Sequence, residues 1–433
     1  MRTVDLIGKK RDGGRLSPEE IAWLIQGSVD DKIPDYQMSA LLMAIYLRGM
    51  DEEETFYLTE AMARSGKRLR FGVDGFVADK HSSGGVGDKV SLVLIPLIAS
   101  AGLFIGKLSG RGLGYTGGTI DKLEAIPGFR AALSLAAFKR QVEEIGAAIA
   151  ESSSEIAPAD HKLYALRDAT ATVSFLPLIA SSIMSKKLAI ESDGLILDVK
   201  VGRGALMETE ERAEELARLM VELGRRAGRK MAALITAMDQ PLGRMVGNAL
   251  EVREALAALR GQGPQDLEEL SLGLGAELLL MAGVVQGKAE ALERLRAKLD
   301  DGSALAKFQE LVERQGGDPK VAEDPSRLPQ AKSRLEVKSP QTGYISELDA
   351  LAIGEAAHLL GAGRTVKDEP IDPAVGIELL KKVGERVARD EPLALIYYNS
   401  AERLAEARVR VEGAFTIGPE PPAPAPLIRK RIA

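Results

Sequence analysis

FVADKHSSGGVGDKVSLVLIPLIASAG, Phe76 to Gly102, carries three structural signals in a row. Phe76 to Lys80 reads as a short strand, Ser82 to Gly87 as a glycine loop, and Asp88 to Ala101 as an apolar helix closed by Gly102. A strand that enters a helix through a glycine turn opens an α/β unit, and it places Lys80, His81 and Ser82 where the strand ends. The loop offers hydroxyls and free backbone N–H groups to an anion, yet it has neither the GxxxxGKS/T spacing of a nucleotide-triphosphate loop nor GxGxxG. About one βαβ unit further on, SGRGLGYTGGTIDKLE, Ser109 to Glu124, repeats the signal, with five glycines in sixteen positions. Taken singly each loop reads as a turn and each Ser or Thr as a local cap. Two such loops, both bearing Ser or Thr and Lys, point to an anion site.

Alternation of strand and helix surrounds these loops. FVADKH, LFIGKLS and AAIAES, and later GLILDVKVG and MAALITAM, predict strands separated by helices, hence a mainly parallel sheet. Upstream the pattern is helical. Ser17–Pro18–Glu19–Glu20 is a capping box with proline at N1, Pro34 to Arg48 and Asp51 to Ser65 give two further helices, and no strand intervenes. Helical text returns from Pro158 in ADHKLYALRDATA and SFLPLIASSIMSKKLAIES. The fold class is therefore α/β: a discontinuous all-helical lobe (1–70 and 158–192), a larger α/β lobe (71–157 and 193–332) and a small α+β carboxyl-terminal domain (333–433). A cleft is expected between the lobes. Residues 317–339 read as a polar, proline-bearing linker, and PEPPAPAPL, near Pro419 to Leu427, as an extended tail that adds little.

Composition narrows the function classes. A chain of 433 residues exceeds one compact core, and its net charge of −6 argues against a dedicated nucleic-acid or membrane binder. With no cysteine there is neither a disulfide frame nor a thiolate metal site. No signal-peptide core and no apolar span of membrane length are found, so a cytoplasmic protein is expected. The presence of only two asparagines, Asn248 and Asn399, leans towards a thermophilic source.

The two glycine segments, with YALRDATATV from Tyr164 and ASSIMSKKLA from Ala180, make the chain resemble the pyrimidine-nucleoside and thymidine phosphorylases over essentially its whole length. The resemblance implies phosphate binding by Lys80, Ser82, Ser91, Ser109 and Thr119, and recognition of the pyrimidine by Tyr164, Arg167, Ser182 and Lys186, with His81 near the same ring. Physical chemistry supports these residue types. Ser182 and Lys186 are four apart and Tyr164 and Arg167 three apart, so each pair shares a helix face. Cations there would stabilise the negative charge that a departing base carries on its O2–N3–O4 system. His81, Arg167 and Lys186 are the implied catalytic residues, His81 standing either as the acid or as a strut of the phosphate loop. Lys107 matches the enzymes that accept both uridine and thymidine, whereas strict bacterial thymidine enzymes tend to carry methionine; it would also add charge for phosphate.

By the same resemblance, no organic cofactor is required, inorganic phosphate is co-substrate and a homodimer forms through the helical lobe; with phosphate contacts on one lobe and base contacts largely on the other, the cleft is expected to close on binding. Relatives hold a monovalent cation, potassium, with residues matching Gly87, Leu242, Met245 and Glu254, plus a threonine where this chain has Lys89. The lysine ammonium either takes the cation's place beside Glu254 or points to solvent. Three other readings compete: a strict thymidine phosphorylase, an anthranilate phosphoribosyltransferase-like enzyme, and a non-catalytic nucleoside- or phosphate-binding protein. The second would need a GTGGD-type diphosphate motif and a metal-binding acidic pair, which KHSSGGVGDK does not provide in that form; the third should have lost Arg167, Ser182 and Lys186.

Overall fold

The computed structural model describes residues 1–112, 114–115, 117–366 and 369–433; Leu113 and Thr116 of the signature stretch lie outside the described residues. Its helical lobe is built from two stretches of chain. Helices Thr3–Arg11, Pro18–Val29, Asp35–Arg48 and Glu52–Arg64 pack with Pro158–Ala169 and Leu176–Ala189, and Leu24, Met38, Leu42, Leu163 and Leu178 share one core. Local sequence sets the ends of these helices: Ser17 with Glu20, and Asp51 with Glu54, form reciprocal capping boxes. Glu54 also binds the ammonium of Lys10 at 2.8 Å and accepts from the backbone N–H of Leu16, so that this buried pair pins the first turn of chain to the fourth helix.

The second lobe is a six-stranded sheet. Ala147–Glu151, Phe104–Ser109, Val77–Ser82, Gly194–Val201 and Lys230–Ala237 run parallel in that spatial order. From Val77–Ser82 the chain moves outward in one direction to 104–109 and 147–151. It then returns through the helical lobe to 194–201, on the other side of the first strand. That reversal opens a crevice at the carboxyl ends of the strands, the usual place for a ligand in an open parallel sheet. The helix after the first glycine loop, Val90–Ser100, buries every side chain from Val90 to Ile98, which explains its uninterrupted apolar sequence.

Three expectations need correction. The segment 317–339 is packed: Asp318 and Asp324 cap short 3₁₀ turns at Pro319–Ala322 and Pro325–Arg327, Val321 and Ala322 are buried, and strand begins at Ser333. The chain beyond the proline-rich stretch adds to the large sheet, because Ile428–Ile432 pairs antiparallel with Lys230–Ala237 at its edge. The tail therefore does not belong wholly to the carboxyl-terminal domain, whose own sheet in turn recruits Met245–Val246 beside Gly376–Leu379, Pro392–Tyr398 and Ser333–Lys338.

Candidate active site

A cleft of about 280 Å³ opens where the strands Val77–Ser82 and Phe104–Ser109 end, walled by both glycine loops and, from the helical lobe, by Ile183 and Lys186. Ser82, Ser91, Lys107, Ser109 and Thr119 all line it, as do His81 and Lys186. Ser91 stands in the first turn of Val90–Ser100, where backbone N–H groups have no helical acceptor. The Ser82 hydroxyl donates to Asp88 Oδ2 at 2.5 Å and accepts from the Gly84 N–H at 3.3 Å, so the first loop is shaped by a carboxylate that the motif reading passed over. Lys80 does not line the cleft. It is fully buried behind the wall, with Nζ 3.8 Å from Asp198, 4.0 Å from Asp88 and, among the described residues, no hydrogen-bond partner.

Arg167, Ser182 and Tyr164 are also absent from the cleft wall. The Arg167 guanidinium donates to the carbonyls of Leu178 at 2.9 Å and Val173 at 2.8 Å and stacks 5.9 Å above the Tyr164 ring, which is half exposed. Ser182 lies within 3.3 Å of Lys186 Nζ, and the same ammonium binds Asp160. Lys186 therefore joins the two helices that carry the four residues. Its neighbour Lys187, readable in sequence as part of a solvated basic patch, is instead buried: it pairs with Asp79 at 3.0 Å across the lobe boundary and lines the cleft as well.

Crowded cations set the electrostatics. Burial pushes the His81 imidazole well below the usual histidine range, and Lys187, Lys107, Lys80 and Lys186 push it the same way. His81 is thus neutral at pH 7, with Nε2 buried and, among the described residues, without a hydrogen-bond partner. Burial, followed by Lys187 and Lys80, depresses the Lys107 ammonium far below its ordinary value despite Asp79 and Asp88. Asp88 goes the other way: burial opposes its charge, but Lys80, Lys200 and Lys122 together with the Ser82 hydroxyl outweigh it and hold the carboxyl far down. The site is a positive, partly unsatisfied enclosure whose charge a bound anion would complete.

Comparisons with known proteins identify the family. Residues 4–66 match the glycosyl transferase family helical bundle domain, residues 74–305 its a/b domain, and residues 344–418 the pyrimidine nucleoside phosphorylase C-terminal domain. Pyrimidine-nucleoside phosphorylase of Geobacillus stearothermophilus is 49% identical over 434 residues, covering 100% of both chains, and that of Bacillus subtilis is 49% identical over 98% of each. The chain belongs to the pyrimidine-nucleoside phosphorylase family. A crystal structure of anthranilate phosphoribosyltransferase from Thermus thermophilus shares the fold, with a TM-score of 0.59 at 18% identity, over 71% of this chain and 98% of that one. Among the described residues no helix is long and apolar enough to cross a membrane.

Within this phosphorylase fold the acceptors expected to hold a monovalent cation are taken. Lys89, fully buried, directs Nζ at the carbonyls of Leu242 and Met245, at 2.8 and 2.9 Å, and at Glu254 Oε2, at 2.5 Å. Burial opposes the charge of Lys89, but Glu254 and Glu251 overcome it and raise the ammonium above its ordinary value. Gly87 and Gly243, both at positive φ, bring backbone so close that a Cβ on either would approach Leu242 O or Glu254 Oε2 within 2.6 and 2.3 Å respectively. A potassium ion does not fit beside the ammonium. Among the described residues no group of three or more His, Cys, Asp or Glu could hold another metal ion.

Proposed function

We propose that this glycosyltransferase carries out reversible phosphorolysis of pyrimidine nucleosides, uridine as well as thymidine and deoxyuridine, to free base and pentose 1-phosphate. The observation that carries the reading is the anion-shaped cleft between lobes in a chain matching pyrimidine-nucleoside phosphorylases end to end. A phosphate oxygen attacks C1′ through an oxocarbenium-like transition state, the C1′–N bond breaks with inversion, and the electron pair leaves on the pyrimidine. Phosphate is held by Ser82, Ser91, Lys107, Ser109 and Thr119, while Lys80 supplies positive potential from behind the wall. Lys186, with Ser182 and Arg167 behind it, faces the base, and neutral His81 donates to or accepts from the ring. Charge-assisted hydrogen bonds worth roughly 1.5–3 kcal/mol each hold the dianion without a divalent metal.

Lys107 supports broad sugar and base range. The helix Asp35–Arg48 carries an exposed stripe of Tyr36, Met43 and Leu47, 74%, 38% and 72% exposed, which supports pairing with a second copy through the helical lobe. The Lys89 ammonium serves as the built-in cation, so activity needs no potassium. The experiment is phosphate-dependent release of uracil from uridine and of thymine from thymidine, side by side. Release from both is expected; thymine alone would mean a strict thymidine phosphorylase, and release from neither would overturn the reaction.

A further inference from the structure

The signature glycine stretch is held at its neck by a residue from another domain. Arg364, from the carboxyl-terminal domain and 8% exposed, donates from Nη2 to Asp121 Oδ1 at 2.7 Å and from Nη1 to Asp121 Oδ2 at 3.2 Å and to the Gly112 carbonyl at 3.0 Å. Asp121 Oδ2 also accepts from the Gly112 N–H at 2.6 Å, and the Gly114 N–H donates to the Arg364 carbonyl at 3.2 Å. Gly112 is where the chain enters the loop and Asp121 where it leaves, so one guanidinium ties both ends together. The neck is tight: a Cβ on Gly118 would lie 2.1 Å from the Gly112 nitrogen and 2.7 Å from Asp121 Oδ2. Helix Ala350–Ala357 of the same domain adds a second contact, since Gly354 fits between Val86 of the first loop and Tyr115 of the second.

We propose that Arg364 is a positioning residue for phosphate, and that the carboxyl-terminal domain serves as the buttress of the phosphate cradle. Ser109 and Thr119 stand three residues before Gly112 and two before Asp121, and both line the cleft. Their separation is set by the neck that Arg364 closes. Lysine cannot replace it, because a single ammonium cannot span two carboxylate oxygens and a carbonyl in one plane. Arg111, whose Nη1 lies 3.6 Å from Asp121 Oδ1, is committed to Glu124 and Glu151 and does not substitute.

The inference rests on the phosphorylase reading, and the test separates the two. Wild type, Arg364→Ala, Arg364→Lys and Asp121→Asn are compared for the KM of phosphate, the KM of uridine, kcat and Tm. Arg364→Ala is expected to raise the phosphate KM roughly 10- to 100-fold, the loss of one charge-assisted pair, with the uridine KM within about twofold. Arg364→Lys and Asp121→Asn are expected to fall between, and added guanidinium ion to lower the phosphate KM of Arg364→Ala. A phosphate-dependent wild type whose folded variants keep the wild-type phosphate KM overturns the inference alone. So do variants in which both KM values and Tm worsen together without guanidinium rescue. A wild type indifferent to phosphate overturns the reading on which the inference rests. Should Arg364→Ala fail to fold, the isosteric Asp121→Asn carries the same comparison.

Discussion

Lys107 shows how the site trades stability for charge. The residue is 5% exposed, and its ammonium donates to the Lys80 carbonyl at 3.3 Å and faces other cations. Even a buried ion pair replaced by well-packed apolar groups of similar volume is often neutral or stabilising, by about 1–4 kcal/mol, and a buried cation among cations gains nothing from a partner. Lys107→Met is therefore expected to melt above wild type without phosphate and to gain less when phosphate is added, read by thermal denaturation. Because folding depresses this pKa, the penalty is present in full below the folded value. It fades as pH rises towards 10.5, where the unfolded chain sheds its proton too. The Tm gap should narrow over that range; a gap that widens, or a variant melting below wild type at pH 7, would contradict the account. Ser82, Ser109 and Thr119 were legible because they sit in or at the edge of glycine motifs, whereas Lys107, on the strand before the signature, was read only through the family resemblance. Asp79 with Lys187, and Asp198 with Lys80, were not legible, because they are brought together by strands and helices distant in sequence.

At the scale of elements, sequence was most legible where one physical signal dominated. The helix Val90–Ser100 announces itself by an apolar run and a closing glycine, although it starts two residues later than Asp88, whose carboxylate is occupied by the Ser82 hydroxyl and the Val90 N–H. Lys89, just before it, staples this helix start to the segment 242–254. Breaking a buried pair by removing one partner costs about 3–5 kcal/mol. Lys89→Thr should melt well below wild type and recover in potassium chloride compared with choline chloride at equal ionic strength, while wild type responds to neither. A potassium-dependent wild type would mean that the ammonium does not fill the site. The packed turns at 319–327 were missed because polarity and proline count suggested solvent, whereas Asp318 and Asp324 spend that polarity on capping backbone N–H groups.

For the whole molecule, the division into lobes followed from the switch between helical and alternating text, but the separation of Tyr164, Arg167 and Ser182 from the cleft that Lys186 lines did not. Arg167 and Tyr164 lie on the helical lobe and do not line the cleft, so the proposed reaction predicts movement of one lobe against the other when base and phosphate bind. Small-angle scattering tests this and the assembly together. The forward intensity should give twice the chain mass. Phosphate with a pyrimidine analogue should shrink the radius of gyration, and Leu47→Arg should halve the mass. An unchanged profile on binding would leave closure without support, and a monomeric wild type would remove the proposed pairing.

The edge strand Ile428–Ile432 has a consequence for biosynthesis. Its partner, Lys230–Ala237, emerges from the ribosome long before it and stays a bare edge until nearly two hundred further residues have been translated. Domains form in the order in which they are made, and an uncovered strand invites pairing with another nascent chain. Premature termination before Arg364 would thus yield a product with a sticky flank and, on the role proposed for Arg364, a slack phosphate cradle, which chaperones and proteases are equipped to recognise.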